Sequence, residues 1–321
     1  MPYFGPITGD RDKLLAALAK RPIRLGGLVL ASILISFCLN NTGCYFNASA
    51  SSVTGSTPWF SQYFSQGAPG FKQLIYDLGT RLFAVGYQYN PPLWSIKAEL
   101  YGSIFTYVFL LLFRTSNLRF LAYAIAMVLF HDRLYQGFIF GILFADVAKT
   151  FPNYMARLTR PQCSIPLLII GFVCASYPHY VQPDHLVNTV YSVFPRIEFL
   201  GGGYSMLGAI FVFVATLLNP RLQEFLSGSV FAYLGRISFA AYAIHFLILC
   251  SLTSWVFLQL TPVLGYDLTC IIGAVAYILL TLICAHWLTV YIDEPTTKLA
   301  NSVAQMFQRR IKEMRRQPAV T

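Results

Sequence analysis

Two opposite charges, Lys97 and Glu99, stand near the start of an apolar run that opens after Asn90-Pro91-Pro92 and ends near Phe113. An ionised side chain in hydrocarbon is costly, so such residues face a bundle interior or a wet cavity. At helical spacing Ser95, Glu99, Gly102 and Ser103 share one face, whereas Trp94, Lys97 and Tyr101 share another. The Glu99 face is small and polar, which lets a neighbouring helix or a substrate approach closely. A carboxylate so placed suits proton transfer, a lined ion path, or a plain polar contact between helices. Lys97 and Glu99 are two residues apart and do not face each other, so they do not form a simple neutralising pair.

His245 lies deep in a second apolar run. One interhelical hydrogen bond to a neutral imidazole is the commoner reason for a lone histidine there, with proton transfer as the alternative. Asp146 and His286 fall near the ends of their apolar runs and can snorkel. Glu294, beside Pro295 at a membrane exit, can cap the end or pair with basic loops. His179 and Asp184 fit a His-x4-Asp acyltransferase pattern, but it is short and has no companion motif. The adjacent His131-Asp132 reads as a solvated turn. Seven cysteines show no metal-ligand spacing, and no metal is expected. Cys38 and Cys44 are close enough in sequence to pair.

The elements that must position these residues are membrane helices. Apolar residues make up 56% of the 321 residues and charged ones 11%, about half the usual charged share. Several apolar runs have spanning length, so the fold class is all-α, a polytopic helical bundle treated as one domain over 1–321. Hydropathy suggests about eight transmembrane helices, near 25–39, 93–113, 118–130, 134–148, 165–177, 204–218, 238–258 and 268–291. The net charge of +10 is spread over short loops and the two ends, which argues against nucleic acid as a partner and for orientation in a lipid bilayer. With the N-terminus inside, eighteen Lys and Arg fall on the cytosolic side against four outside: Lys72, Arg81, Arg133 and Arg196. Both termini are therefore expected in the cytosol, with 302–321 as a basic tail.

The loop 40–92 falls outside and holds two glycosylation sequons, at Asn40 and Asn47, with Asn47 the better placed. Within it, Phe71 to Val85 has the apolar period of an amphipathic helix lying at the outer interface. A second outer loop, about 178–203, contains His179, Asp184, His185, Arg196 and Glu198.

Four stretches carry a resemblance. Leu93-Trp94-Ser95 with Glu99 and Gly102-Ser103 resembles the Trp-Ser/Thr-x-x-x-Glu signature of the acyltransferase-3 family of integral-membrane acyltransferases, in its fungal-type form. Lys20-Arg21-Pro22-Ile23-Arg24-Leu25 resembles the family's Arg-x-x-Arg-Leu segment. Leu234-Gly235-Arg236-Ile237-Ser238-Phe239-Ala240-Ala241-Tyr242-Ala243-Ile244-His245 resembles its Leu-Gly-x-Ile-Ser-Tyr-x-x-Tyr-x-x-His. Tyr291-Ile292-Asp293-Glu294-Pro295 resembles its closing Glu-Pro stretch.

The resemblance implies transfer of an acyl group from acyl-CoA, a donor substrate rather than a bound cofactor, to a hydroxyl of a carbohydrate or small molecule. It implies Glu99 and His245 as catalytic residues, and Arg21, Arg24, Trp94 and Ser95 as substrate-binding ones. Guanidinium groups at the cytosolic mouth can clamp CoA phosphates, although such clusters are also routine positive-inside anchors. Family members begin with one or two further spans, the first bearing an Arg and a His regarded as the catalytic base. Those residues have no counterpart here, so little activity is expected of the 321 residues alone unless His245 or Glu99 has taken over. The rival reading is a non-enzymatic transporter or scaffold using buried Lys97 and Glu99.

Overall fold

The computed structural model describes residues 9–56, 58–64, 67, 69–130, 134–159, 161–178, 189–194 and 203–316. Helices follow one another as α1 (Gly9–Asn41), α2 (Asn47–Thr54), α3 (Pro58–Gln62), α4 (Phe71–Thr80), α5 (Leu82–Tyr89) and α6 (Trp94–Phe113). Then come α7 (Arg119–Leu129), α8 (Tyr135–Thr150), α9 (Pro152–Leu158), α10 (Pro161–Ala175), α11 (Gly203–Leu218) and α12 (Pro220–Leu226). The chain ends with α13 (Ser229–Ile248), α14 (Ser254–Leu264), α15 (Tyr266–Leu288) and α16 (Glu294–Arg316). A 3-10 turn, Pro91–Leu93, leads into α6, and π-turns at Leu249–Thr253 and Thr289–Asp293 join α13 to α14 and α15 to α16. No strand occurs among the described residues.

Among the described residues four helical stretches are long and apolar enough to cross a bilayer: Arg11–Asn41, Pro91–Phe113, Ser229–Leu264 and Tyr266–Ile311. A fifth arises if Gly203–Leu218 and Pro220–Leu226, bent by 96°, count as one broken span. The three other expected spans form helices, but short ones. α7, α8 and α10 have 11, 16 and 15 residues, which rise only about 16–24 Å against a hydrocarbon core of about 30 Å. The expected basic tail is the end of a helix continuous from Tyr266 to Ile311 and on to Arg316.

The chain clusters into a smaller unit, residues 1–15 with 102–232, and a larger one, residues 16–101 with 233–321. In the larger unit Leu28, Ile237, Ala240, Ala243 and Ala285 form a buried cluster joining α1, α13 and α15. Small side chains let such backbones approach closely, where packing rather than the hydrophobic effect drives association. Gly27 shows the limit of that approach: a Cβ added there would overlap the Thr296 side chain of α16. Polar ties cross the same region. The Ala243 carbonyl accepts from Ser32 Oγ at 2.8 Å and from Asn90 Nδ2 at 2.8 Å, and Asn90 Nδ2 also donates to Ser32 Oγ at 2.9 Å.

The amphipathic stretch 71–85 is two helices, broken at Arg81. Leu74 and Asp77 turn inward, whereas Phe71, Ile75 and Tyr76 stay exposed. The buried Asp77 carboxylate accepts from Arg81 at 2.5 Å, Gln73 at 2.9 Å and Tyr89 at 2.9 Å. Burial opposes its ionisation, but these three donors outweigh burial and hold its carboxyl below the usual carboxylate range.

Asn47 does not offer its amide to a glycan. It is 1% exposed, and Nδ2, the atom a sugar would need, donates to Phe60 O at 2.7 Å and Tyr63 O at 3.0 Å. The sequon reads composition only; the fold has spent the nitrogen on closing the α2–α3 segment. Cys38 and Cys44 are both free thiols.

In the smaller unit Phe109 stacks on Tyr123 at 4.8 Å, within a core that also holds Leu14, Leu110, Ile139 and Ile142. Asp146 is buried rather than snorkelling. Its carboxylate binds Arg119 Nε at 2.7 Å and accepts from Thr150 Oγ1 at 3.1 Å. Gly171 and Gly208 let α10 and α11 meet backbone to backbone, since a Cβ on Gly208 would overlap Ala175. His131, Asp132, Arg133, His179, Asp184, His185, Arg196 and Glu198 lie outside the described residues.

Candidate active site

Three helices of the larger unit each contribute a pair of side chains one turn apart. Arg21 and Arg24 stand at i, i+3 on α1, Ser95 and Glu99 at i, i+4 on α6, and Ser238 and Tyr242 at i, i+4 on α13. Such spacing places both members of each pair on one helix face. The six side chains line one cavity of about 340 Å³, completed by Leu25, Ile96 and Phe239.

Arg21 Nη1 lies 3.4 Å from Glu99 Oε1, and both side chains remain partly exposed, at 29% and 41%. A pair of that length and exposure is worth little, about 0–1 kcal/mol. It can exchange partners without penalty to the fold. Two guanidinium groups against one carboxylate leave the lining with an excess of positive charge, suited to an anionic ligand. Pro22, between the two arginines inside α1, has no N–H to give the carbonyl four residues back.

The neutral groups are ordered by one bond. The Tyr242 hydroxyl donates to the Pro92 carbonyl. With its single hydrogen so used, the 2.7 Å contact with Ser95 has Ser95 Oγ as donor and Tyr242 as acceptor. Ser238 Oγ donates to Gly235 O at 2.9 Å. Both serines therefore turn lone pairs, not hydrogens, towards a ligand: the cavity accepts from hydroxyls and donates through its arginines.

Two contacts hold this arrangement. Asn90, fully buried, fixes the turn before α6 to α1 and α13 through Ser32 and the Ala243 carbonyl. Glu294 pairs with Arg236, with Nε at 2.8 Å, and so ties the start of α16 to the turn of α13 that carries Ser238. Pairing with a basic residue is one of the two roles expected for Glu294.

Four of the six residues proposed from sequence, Arg21, Arg24, Ser95 and Glu99, thus meet in one cavity. Trp94 does not; it is 56% exposed on the opposite side of α6. His245 is not in the lining either. It sits one turn beyond Tyr242, with ring centroids 5.9 Å apart, and its Nδ1 donates to Tyr242 O at 2.8 Å and contacts Ala241 O at 3.2 Å. Carbonyls only accept, so Nδ1 carries the proton and Nε2 is the nitrogen left to act. Lys97 is exposed rather than buried. Ser238 and Tyr242 were missed, although their i, i+4 spacing repeats that of Ser95 and Glu99. Among the described residues no cluster of three or more His, Cys, Asp or Glu side chains could hold a metal.

A family model described as an acyltransferase domain, acyltransferase-3, matches residues 7–290, a range that contains all three side-chain pairs. The chain belongs to the acyltransferase-3 family. This acyltransferase-3 protein is similar to Acyltransferase R4 of a Phoma species, at 25% identity over 295 residues covering 78% of the chain. It is also similar to Acyltransferase clz18 of Cochliobolus lunatus, at 27% identity over 342 aligned residues covering 90%. The chain spans 63% of the length of the first relative and 71% of the second. No solved structure matches it. Family and apolar helices together make it an integral membrane protein.

Proposed function

We propose that the cavity between α1, α6 and α13 is an O-acyl transfer site, taking an acyl group from acyl-CoA to a hydroxyl of a carbohydrate or small molecule. The observation that carries this reading is the meeting of Arg21, Arg24, Ser95 and Glu99 in one lining. Arg21 and Arg24 bind phosphate oxygens of the donor, for which guanidinium forks are well matched. A donor phosphate competes with Glu99 for Arg21, which the loose 3.4 Å contact permits. Glu99, released, accepts the proton of the acceptor hydroxyl as its oxygen attacks the thioester carbonyl. The C–S bond breaks, the acyl group stays on the acceptor oxygen, and the thiolate leaves and takes up a proton. About 340 Å³ is near the lower limit of small-molecule sites, so the cavity admits the reacting end of the donor rather than a whole nucleotide thioester.

The eighteen-to-four division of Lys and Arg supports an orientation with both termini and the Arg21–Arg24 mouth in the cytosol. The eight-span arrangement stays part of this reading, with α7, α8 and α10 as short spans. The transporter reading is weaker, because Lys97 is exposed and does not line the cavity with Glu99.

Radiolabelled acyl-CoA tests the proposal. Acyl incorporation should fall about 10²–10⁴-fold in Glu99→Gln, the usual contribution of a general base, while the variant inserts normally. Near-normal turnover by Glu99→Gln would make Glu99 structural, and substrate flux without acylation would favour the transporter.

A further inference from the structure

A second cavity in the larger unit, about 410 Å³, lies where the α2 segment meets α14 and α15, away from the arginine mouth. Its walls are apolar, interrupted by the hydroxyl-bearing Thr54, Ser56, Thr253, Ser254 and Tyr277, and no charged residue lines it.

Thr253 is the informative member. A helical threonine normally gives its hydroxyl to the carbonyl three or four residues back. Here both carbonyls already receive other donors. Leu249 O, four back, receives both the backbone N–H and the Oγ of Ser254, the latter at 2.7 Å, because the π-turn Leu249–Thr253 shifts the helical register by one residue. Cys250 O, three back, receives Phe46 N–H at 2.9 Å. Thr253, 8% exposed, is left with no partner for Oγ1. Threonine in a helix has two accessible χ1 wells, so the hydroxyl can turn to a ligand that offers an acceptor. The bond from Phe46 also fastens the segment carrying Thr54 over the cavity. Opposite it, a Cβ added to Gly273 would meet nothing within 4 Å, which leaves that wall open to a guest.

We infer that this cavity binds an uncharged, mainly apolar alcohol of the kind that partitions into a bilayer, with Thr253 as its hydrogen-bond partner. Charge is excluded by the lining, bulk by the volume, and a purely apolar guest would leave Thr253 unsatisfied. Tyr242 and Thr253 are eleven residues apart along one helix, about 16 Å. The bound alcohol is therefore not positioned to react at Glu99, and the inference does not depend on the acyl-transfer reading.

Photolabelling of the purified full chain in detergent tests it, with a diazirine-bearing octanol and the matching diazirine-bearing octane as probes. Labelling on the peptides holding Thr253 and Tyr277 should saturate with the alcohol and be displaced by octan-1-ol. The alkane should bind about three- to tenfold more weakly, the size of one hydrogen bond. Thr253→Val should weaken the alcohol by the same factor and leave the alkane unchanged, whereas Thr253→Ser should retain alcohol binding. Gly273→Leu, which grows into open space, should block both probes even if the Thr253 variants fail to fold. Unsaturable labelling, equal binding of alcohol and alkane in the native chain, or full alcohol labelling in Gly273→Leu would overturn the assignment.

Discussion

Removing one oxygen from Tyr242 tests how the reactive face of α6 is held. Tyr242→Phe leaves the ring in place but takes a side-chain donor from the Pro92 carbonyl and the acceptor from Ser95 Oγ. Leaving such groups unpaired costs about 1–3 kcal/mol, enough to lower thermal stability measurably but not to unfold the unit. The larger effect is positional. Pro92 belongs to the turn that sets the start of α6, and Glu99 follows Ser95 by one helical turn. A displacement of about 1 Å at a catalytic group can cost about 10²-fold in rate. Tyr242→Phe should therefore lower kcat about 10–100-fold while the donor KM, set by Arg21 and Arg24, changes little. Ser95→Ala removes the same hydrogen bond from its other end. A double-mutant cycle on kcat should accordingly show strong coupling, the double variant losing scarcely more than the worse single one. Additive losses, or normal turnover in Tyr242→Phe, would refute the view that this bond positions Glu99.

Three further outcomes follow from the larger unit. Asp77 is held below the usual carboxylate range, so its stabilising effect is complete at neutral pH and is lost as pH falls below about 3.9. Hydrogen exchange in α4 and α5 should accelerate on acidification in the native chain, and in Asp77→Asn be fast already at neutral pH; matching profiles would remove Asp77 as the clamp. Gly27→Ala should overpack α1 against Thr296 and cost about 1–3 kcal/mol in thermal unfolding, partly restored by Thr296→Ala. Asn47→Gln should cause no loss of glycan mass on a gel yet lower the thermal midpoint, because the longer amide cannot meet both Phe60 O and Tyr63 O.

What could be read from the sequence was whatever has a local period. Apolar runs gave the helical class, and i, i+3 and i, i+4 spacings put Arg21 with Arg24 and Ser95 with Glu99 on single faces. What could not be read depends on distant partners. Asp146 looked like a snorkelling end residue because nothing near it names Arg119, 27 positions away. Tyr242 meets Ser95 across 147 positions, and only the fold makes it part of the lining. Asn47 satisfies a sequon, which says nothing of whether its amide is already engaged. The span count goes further than the four long apolar helices because hydropathy detects apolar runs and not their helical length, and α7 and α10 are short for the core.

The π-turn Thr289–Asp293 has a consequence for evolutionary comparison. A π-turn holds one more residue than the α-helical turn it replaces, and each residue advances the side-chain direction by about 100°. Beyond it, every position of α16 is rotated by that amount relative to an uninterrupted helix, and in this phase Glu294 faces Arg236 and Thr296 meets Gly27. Closing the π-turn into a regular helix with all its residues kept would turn both partners aside together, whereas deleting one residue between Thr289 and Asp293 would close the turn and keep both in phase. Homologues should therefore be aligned across this point with a one-residue gap permitted, and a relative lacking the extra residue can keep both the Glu294–Arg236 and Thr296–Gly27 contacts unchanged.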